Sequence, residues 1–144
     1  MILVDINLLL YAVNEDDPHH LAARDWLEQK LSLDDPVGLS WIVILGFVRL
    51  STNAKVFPKP LSRQEALDQI NSWLAQPCVR VIAAGDRHWK ILNPLLRDIP
   101  HSPNWVTDAH LAALAIEHGY GFYSADNGFA RFTDLQWSNP LQKS

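Results

Sequence analysis

A single cysteine, Cys78, stands in a chain of 144 residues, so no intramolecular disulfide can form. The stapled frameworks of small secreted domains are thereby excluded, and a reducing compartment, by default the cytoplasm, is the expectation. Basic runs are also missing. Twelve Lys and Arg face sixteen Asp and Glu, giving a formal charge of -4 and a pI near 5.8. Such a chain does not grip phosphate by charge alone, which speaks against an ordinary DNA-binding module. It leaves open a protein that meets nucleic acid through a metal ion, because carboxylates that hold a cation also make a chain acidic. The apolar stretch 1–13 is interrupted by Asp5 and Asn7, lacks a basic flank and is far too short to cross a bilayer. It reads as mature protein, with no signal peptide and no membrane span. The P-loop, the dinucleotide fingerprint, HExxH and GxSxG are all absent.

What remains is a chain that is 48% hydrophobic and 19% charged, enough to bury a sizeable core and inconsistent with intrinsic disorder. The length fits one domain over residues 1–144. Met1-Ile-Leu-Val is a buried-strand run ending at Asp5 and followed by a helical turn through Leu8 to Ala12. Asp16-Asp17-Pro18 reads as a helix start, and the spacing of Ala22, Ala23, Trp26, Leu27 and Leu31 continues that helix. Val37-Gly-Leu39 is a brief strand. Ser40 caps a helix from Trp41 to about Thr52 that is apolar nearly all round and therefore expected to be largely buried.

A proline-containing loop over 53–60 precedes a capping box, Ser62 with Glu65, that opens a helix to Leu74. Val79–Ile82 is a strand, 87–97 a helix that Pro94 can kink, Pro100–Pro103 a loop, and Asn104–His118 a helix closed by Gly119. Gly121–Ser124 is a strand leading into the turn Ala125-Asp-Asn-Gly128, and a last short strand is expected near Gln136-Trp137. Strands alternating with helices predict a parallel α/β sheet wrapped by helices.

In an open parallel sheet, ligands sit beyond the carboxyl ends of the strands. Asp5 ends the first strand and Asp126 follows the strand ending at Ser124, so both acids point to one rim. Asp108 shares a helical stripe with Leu111, Ala112 and Ala115, which turns its carboxylate toward the sheet. Each acid also has a local reading: Asp5 caps the next helical turn, Asp108 favours the first turns of its helix, and Asp126 makes an Asx-turn before Gly128. Convergence is not required by any of these. Clustered carboxylates repel unless a cation sits among them, and hard oxygen ligands without His or Cys suit Mg²⁺ or Mn²⁺.

Met1-Ile-Leu-Val-Asp5-Ile-Asn7-Leu-Leu, Thr107-Asp108-Ala-His-Leu-Ala-Ala-Leu-Ala and Ser124-Ala-Asp126-Asn-Gly-Phe129-Ala-Arg-Phe132 resemble the three acidic blocks of PIN domains. More closely, the chain resembles the VapC toxins of bacterial type II toxin–antitoxin pairs, with Phe47-Val-Arg49-Leu-Ser-Thr-Asn53 and Trp137-Ser-Asn-Pro140-Leu as further blocks. The resemblance implies a PIN-like three-layer α/β/α sandwich with a mostly parallel central sheet. It also implies a Mg²⁺- or Mn²⁺-dependent endoribonuclease that cuts structured RNA such as tRNA or rRNA and stops translation. A cognate VapB-like antitoxin would block it, and a homodimer is the usual state.

Carried over position by position, Asp5, Asp108 and Asp126 match the metal-liganding acids. Arg49 matches a basic residue that contacts phosphate or antitoxin, and Asn7 and Ser124 match small polar positions around the acids. One departure stands out. The family usually carries an acid three residues before Arg49, and Gly46 occupies that place, so the pocket is expected to hold one ion rather than two, or to hold it weakly until RNA supplies oxygens. The alternative function is a catalytically weakened PIN domain that binds RNA or protein. A receiver-type phosphoacceptor pocket fits poorly, because the adjacent acids and the late Lys it needs are missing.

Other residues have simpler readings. His19-His20 is solvated at a helix start, His110 faces another side of its helix from Asp108, and Cys78 is inert. Trp26, Trp41 and Trp73 fall at core spacing; packing is the default for Trp89 and Trp105, with stacking on a base or contact with a partner as the alternative. Arg131 and Lys55 are either phosphate ligands or parts of solvated faces.

Overall fold

In the computed structural model, residues 1–98 and 104–142 are described. Five short strands, β1 (Ile2–Val4), β2 (Val37–Ser40), β3 (Val79–Ile82), β4 (Gly121–Tyr123) and β5 (Trp137–Ser138), form one sheet in the order β3-β2-β1-β4-β5. Every neighbouring pair is parallel, with Leu3 opposite Gly38 on one side and Phe122 on the other. A fully parallel sheet must be covered on both faces, which is why β1 and β2 are buried at every position. The expected three-layer α/β/α sandwich is what forms.

Six helices cover the sheet: α1 (Ile6–Val13), α2 (His20–Leu31), α3 (Trp41–Ser51), α4 (Arg63–Leu74), α5 (His88–Arg97) and α6 (Asn104–His118). Helix α1 packs against α2 and α3, α3 against α4, and α5 against α6, which lies on β4. The core runs through Leu3, Val4, Leu8, Phe47, Leu114, Phe122 and Phe129, all essentially without solvent contact.

Local chemistry sets the boundaries. Ser40 accepts the Val43 N–H, and Ser62 and Glu65 form the reciprocal capping box expected of them; each such cap contributes about 1 kcal/mol. Gly119 adopts a φ of 69°, a left-handed conformation that glycine enters without a Cβ penalty and that ends α6. Asp16-Asp17-Pro18 does not start a helix. The Asp17 carboxylate accepts the His19 N–H at 2.8 Å, a local turn that competes with helix, and α2 begins at His20.

Helix α3 departs from its expected burial. Val43, Ile44 and Phe47 face the core, but Trp41, Ile42 and Leu45 are 54%, 42% and 64% exposed. Its apolar circumference exceeds what one contact face can cover, and Trp41 is therefore a surface residue and not part of the packing. The last strand sits one residue later than expected, at Trp137–Ser138. The loop expected over Pro100–Pro103 lies outside the described residues.

Candidate active site

Strand β1 hands the chain directly to α1, and Asp5 occupies the junction as N-cap. Its Oδ1 accepts the Ile6 N–H at 2.7 Å, so the capping reading is correct. Its Oδ2 accepts the Ser124 hydroxyl at 2.7 Å and lies 3.5 Å from the Asn7 amide nitrogen. Asp5 is only 5% exposed. Burial raises its carboxyl above the ordinary carboxylate range, with the Asp126 charge adding to the rise and the Ser124 and Ile6 bonds opposing it.

Asn7 and Ser124 tie the first strand end to the fourth. The Asn7 amide donates to the Ser124 Oγ at 3.1 Å, and its carbonyl oxygen accepts the Ala125 N–H at 3.2 Å. The buried Ser124 Oγ also accepts the Asp126 N–H at 3.0 Å. Asp126 in turn accepts the Gly128 N–H at 2.8 Å, the Asx-turn expected there, and caps the short 3₁₀ turn Asn127–Arg131. The local readings of Asp5 and Asp126 hold together with convergence: capping orients both carboxylates at the rim.

Asp108 joins them from α6. A cleft of roughly 360 Å³ is lined by Asp5, Asn7, Asp108 and Asp126, with Gly46 and Arg49 of α3 on its far wall. The Asp108 carboxyl is pushed up to about 6, first by burial and then by the Asp126 and Asp5 charges, against the pull of Arg131. The Asp126 charge thus raises the cost of ionising both Asp5 and Asp108, a conflict that a cation in the cleft would resolve. Among the described residues, no three His, Cys, Asp or Glu side chains converge tightly enough to cage an ion. This donor set fits Mg²⁺ or Mn²⁺ nonetheless, because Mg²⁺ keeps several waters and takes few carboxylates along with phosphate oxygens.

The site therefore gathers Asp5, Asn7, Asp108, Ser124 and Asp126, with exposed Arg49 at its edge. Gly46 supplies no ligand and borders Ile6: a Cβ there would stand 2.6 Å from Ile6 Cδ1, the far end of that side chain. Arg131 is not on a solvated face. Its side chain is 20% exposed, its guanidinium stacks 3.2 Å over the Trp105 ring, and its Nη2 is 3.7 Å from Asp108 Oδ2. Glu117 also escaped sequence reasoning. It is a buried carboxylate that accepts the Gly85 and Arg87 N–H groups and so pins the entry to α5. His110 is structural as expected, bonded to His88 at 2.9 Å.

The chain belongs to the PIN-domain family, whose model matches residues 2–135. Over 140 residues it is 44% identical to ribonuclease VapC37 of Mycobacterium tuberculosis, covering 97% of both chains. The fold is shared with VapBC2 from Rickettsia felis, solved bound to a DNA fragment from its promoter, at a TM-score of 0.70 and 18% identity over 96% of this chain and 98% of that one. It is shared as well with M. tuberculosis VapC20, a toxin that cleaves the sarcin–ricin loop, at a TM-score of 0.67 and 20% identity over 94% and 98% of the two chains.

Proposed function

We propose that this protein is a metal-dependent endoribonuclease, the toxin of a VapBC-type toxin–antitoxin pair, and that it cuts structured RNA such as tRNA or rRNA to stop translation. One observation carries the reading: three carboxylates from segments far apart in sequence line one cleft beyond the ends of β1 and β4. The VapC ribonuclease relative and the VapBC neighbour support the toxin class and an antitoxin partner.

Asp5, Asp108 and Asp126 would hold the Mg²⁺ or Mn²⁺. Such an ion supplies Lewis-acid stabilisation of the charge that builds on phosphate oxygens during cleavage. Ser124 and Asn7 fix the orientation of Asp5, so the cleft does not reorganise when substrate arrives. Arg49, exposed on α3, contacts a phosphate of the RNA or an acidic group of the antitoxin. The protein acts in the cytoplasm as a homodimer, and among the described residues no helix is long and apolar enough to cross a membrane.

Pure protein incubated with total RNA and Mg²⁺ should release discrete fragments, and EDTA should stop the reaction. Asp5→Asn and Asp108→Asn should each abolish cleavage; variants that cut as well as the parent would sink the assignment. Gly46 favours a second reading, a weakened domain that binds RNA or protein without cutting. That reading requires normal growth on expression, and growth arrest relieved by Asp5→Ala would eliminate it.

A further inference from the structure

The cleft that gathers the three acids is only half polar. Its α3 wall presents Ile42, Gly46, Arg49 and Leu50, whose spacing puts them on one stripe of the helix. Arg49 is the one side chain on that stripe with a hydrogen-bonding group, so the rest of the wall offers nothing to a metal ion or a phosphate. Ile42 nevertheless leaves 42% of its surface in water. Apolar side chains held open beside a few convergent polar groups are the usual lining of a small-ligand site.

Gly46 shapes this wall. Ile42 and Leu50 stand about 12 Å apart along the helix axis, and no side chain rises midway between them. The floor of the gap is apolar as well, because Ile6 Cδ1 lies 2.6 Å from where a Cβ at 46 would be. The cleft's volume of roughly 360 Å³ is that of a site for one small ligand, whereas a protein partner needs about 800 Å² of each surface. A flat ring fits such a gap with its face against the aliphatic chains. In RNA, flat rings come joined to phosphates, the groups that Arg49 and a metal on the acids attract.

We propose that the α3 wall is a nucleobase subsite: Ile42, Leu50 and the Ile6 methyl hold the face of one unpaired base of the RNA while its phosphate lies toward the acids. The proposal rests on the ribonuclease reading above for the identity of the ligand. A base can enter this gap only when it is out of its stack. Because the aliphatic wall cannot bond to a base edge, it selects for an extruded base and not for which base it is.

The test is NMR of the full chain with isotope-labelled isoleucine δ-methyl groups, titrated in Mg²⁺ with adenosine monophosphate and separately with ribose 5-phosphate. In the parent, the Ile6 and Ile42 methyls should move upfield with the nucleotide, under the ring current of the base, and stay in place with ribose 5-phosphate. The nucleotide should also bind about tenfold tighter than the sugar phosphate, the effect of burying one ring face on apolar surface. Ile42→Ser, at a position open enough to spare the fold, should bring the two affinities to within about twofold. Leu45→Ser, equally on α3 but outside the cleft, should leave the tenfold preference intact. Uridine monophosphate should move the same methyls as adenosine monophosphate. No preference for the nucleotide in the parent would overturn the proposal and leave the wall to a protein partner. An undiminished preference in folded Ile42→Ser, or shifts that spare Ile6 and Ile42, would overturn it too. RNA cleavage without nucleotide preference defeats the subsite alone, whereas nucleotide preference at these methyls without cleavage of any RNA defeats the ribonuclease reading and leaves the base subsite standing.

Discussion

The Ser124 hydroxyl donates to the Asp5 carboxylate at 2.7 Å across 119 positions of sequence. This bond joins the carboxyl ends of β1 and β4, the place where the chain's crossovers diverge to either side of β1 and where a parallel sheet opens a crevice. Ser124→Ala removes that donor and the acceptor used by the Asn7 amide and the Asp126 N–H. Urea denaturation of the variant should show a loss of about 2 kcal/mol, and cleavage should fall because Asp5 is freed to rotate and its carboxyl rises further.

Metal-free protein should lose the stability that protonated Asp108 contributes as pH rises through the window that ends near 6. Asp108 is raised to about 6 and Asp5 is raised in the same direction, so the folded state binds protons that the unfolded chain has already released. The stability these two groups contribute is therefore greatest below the unfolded carboxylate range and declines as they ionise. For Asp108, whose side chain keeps 20% exposure to screening solvent, the decline amounts to about 1–2 kcal/mol. Thermal melts in EDTA should give a higher Tm at pH 5 than at pH 7.5, and Mg²⁺ should restore most of the difference. Asp108→Asn should flatten the EDTA profile; an unchanged slope would contradict the assignment.

Gly46 and Ile6 should prove energetically coupled. A Cβ at 46 meets Ile6 Cδ1 at 2.6 Å, while replacing a mid-helix glycine with alanine gains up to about 1 kcal/mol. Gly46→Ala alone should fall within about 1 kcal/mol of the parent, and Ile6→Val should recover about 0.5–1 kcal/mol more in the Ala background than alone. A double-mutant cycle in urea reads this directly, and additive effects would show that the contact is absent.

Glu117→Gln should loosen the entry to α5 without touching the cleft. The carboxyl is held below the ordinary range first by the Gly85 N–H and further by the Arg87 N–H and the neighbouring His118 and His88. The amide can accept only one of the two N–H groups well, so about 1–3 kcal/mol should be lost, with faster amide exchange at 85–88. Because this carboxyl is depressed, its contribution is present above the unfolded pKa and disappears as pH falls through the lower folded value. RNA cleavage by the surviving folded protein should be unchanged.

Much of the fold was legible because it is carried by short-range chemistry. The runs Met1–Val4 and Val79–Ile82, the capping box at Ser62 and Glu65 and the glycine at 119 each announce an element within a few residues. The acids at 5 and 126 were legible for a related reason, since each follows a strand and strand ends of a parallel sheet share a rim. Where local signals competed, the reading failed. Asp17 offered both a helix cap and a turn, and the turn won. Helix α3 has more apolar surface than one neighbour can bury, and composition does not say which side stays in water.

Sequence by itself determined the class: an acidic chain with one thiol, alternating strands and helices, and three carboxylates at strand and helix ends. Tertiary structure alone decided how those carboxylates affect one another and what else meets them. It set Asp108 at about 6 beside two other charges, placed Ile6 against Gly46 in the cleft wall, and stacked Arg131 on Trp105 close to Asp108. The reason is physical. Strand and helix signals depend on neighbours a few residues away, whereas burial, Coulomb coupling and steric filling depend on distances in space, here between residues as far apart in sequence as Asp5 and Asp126.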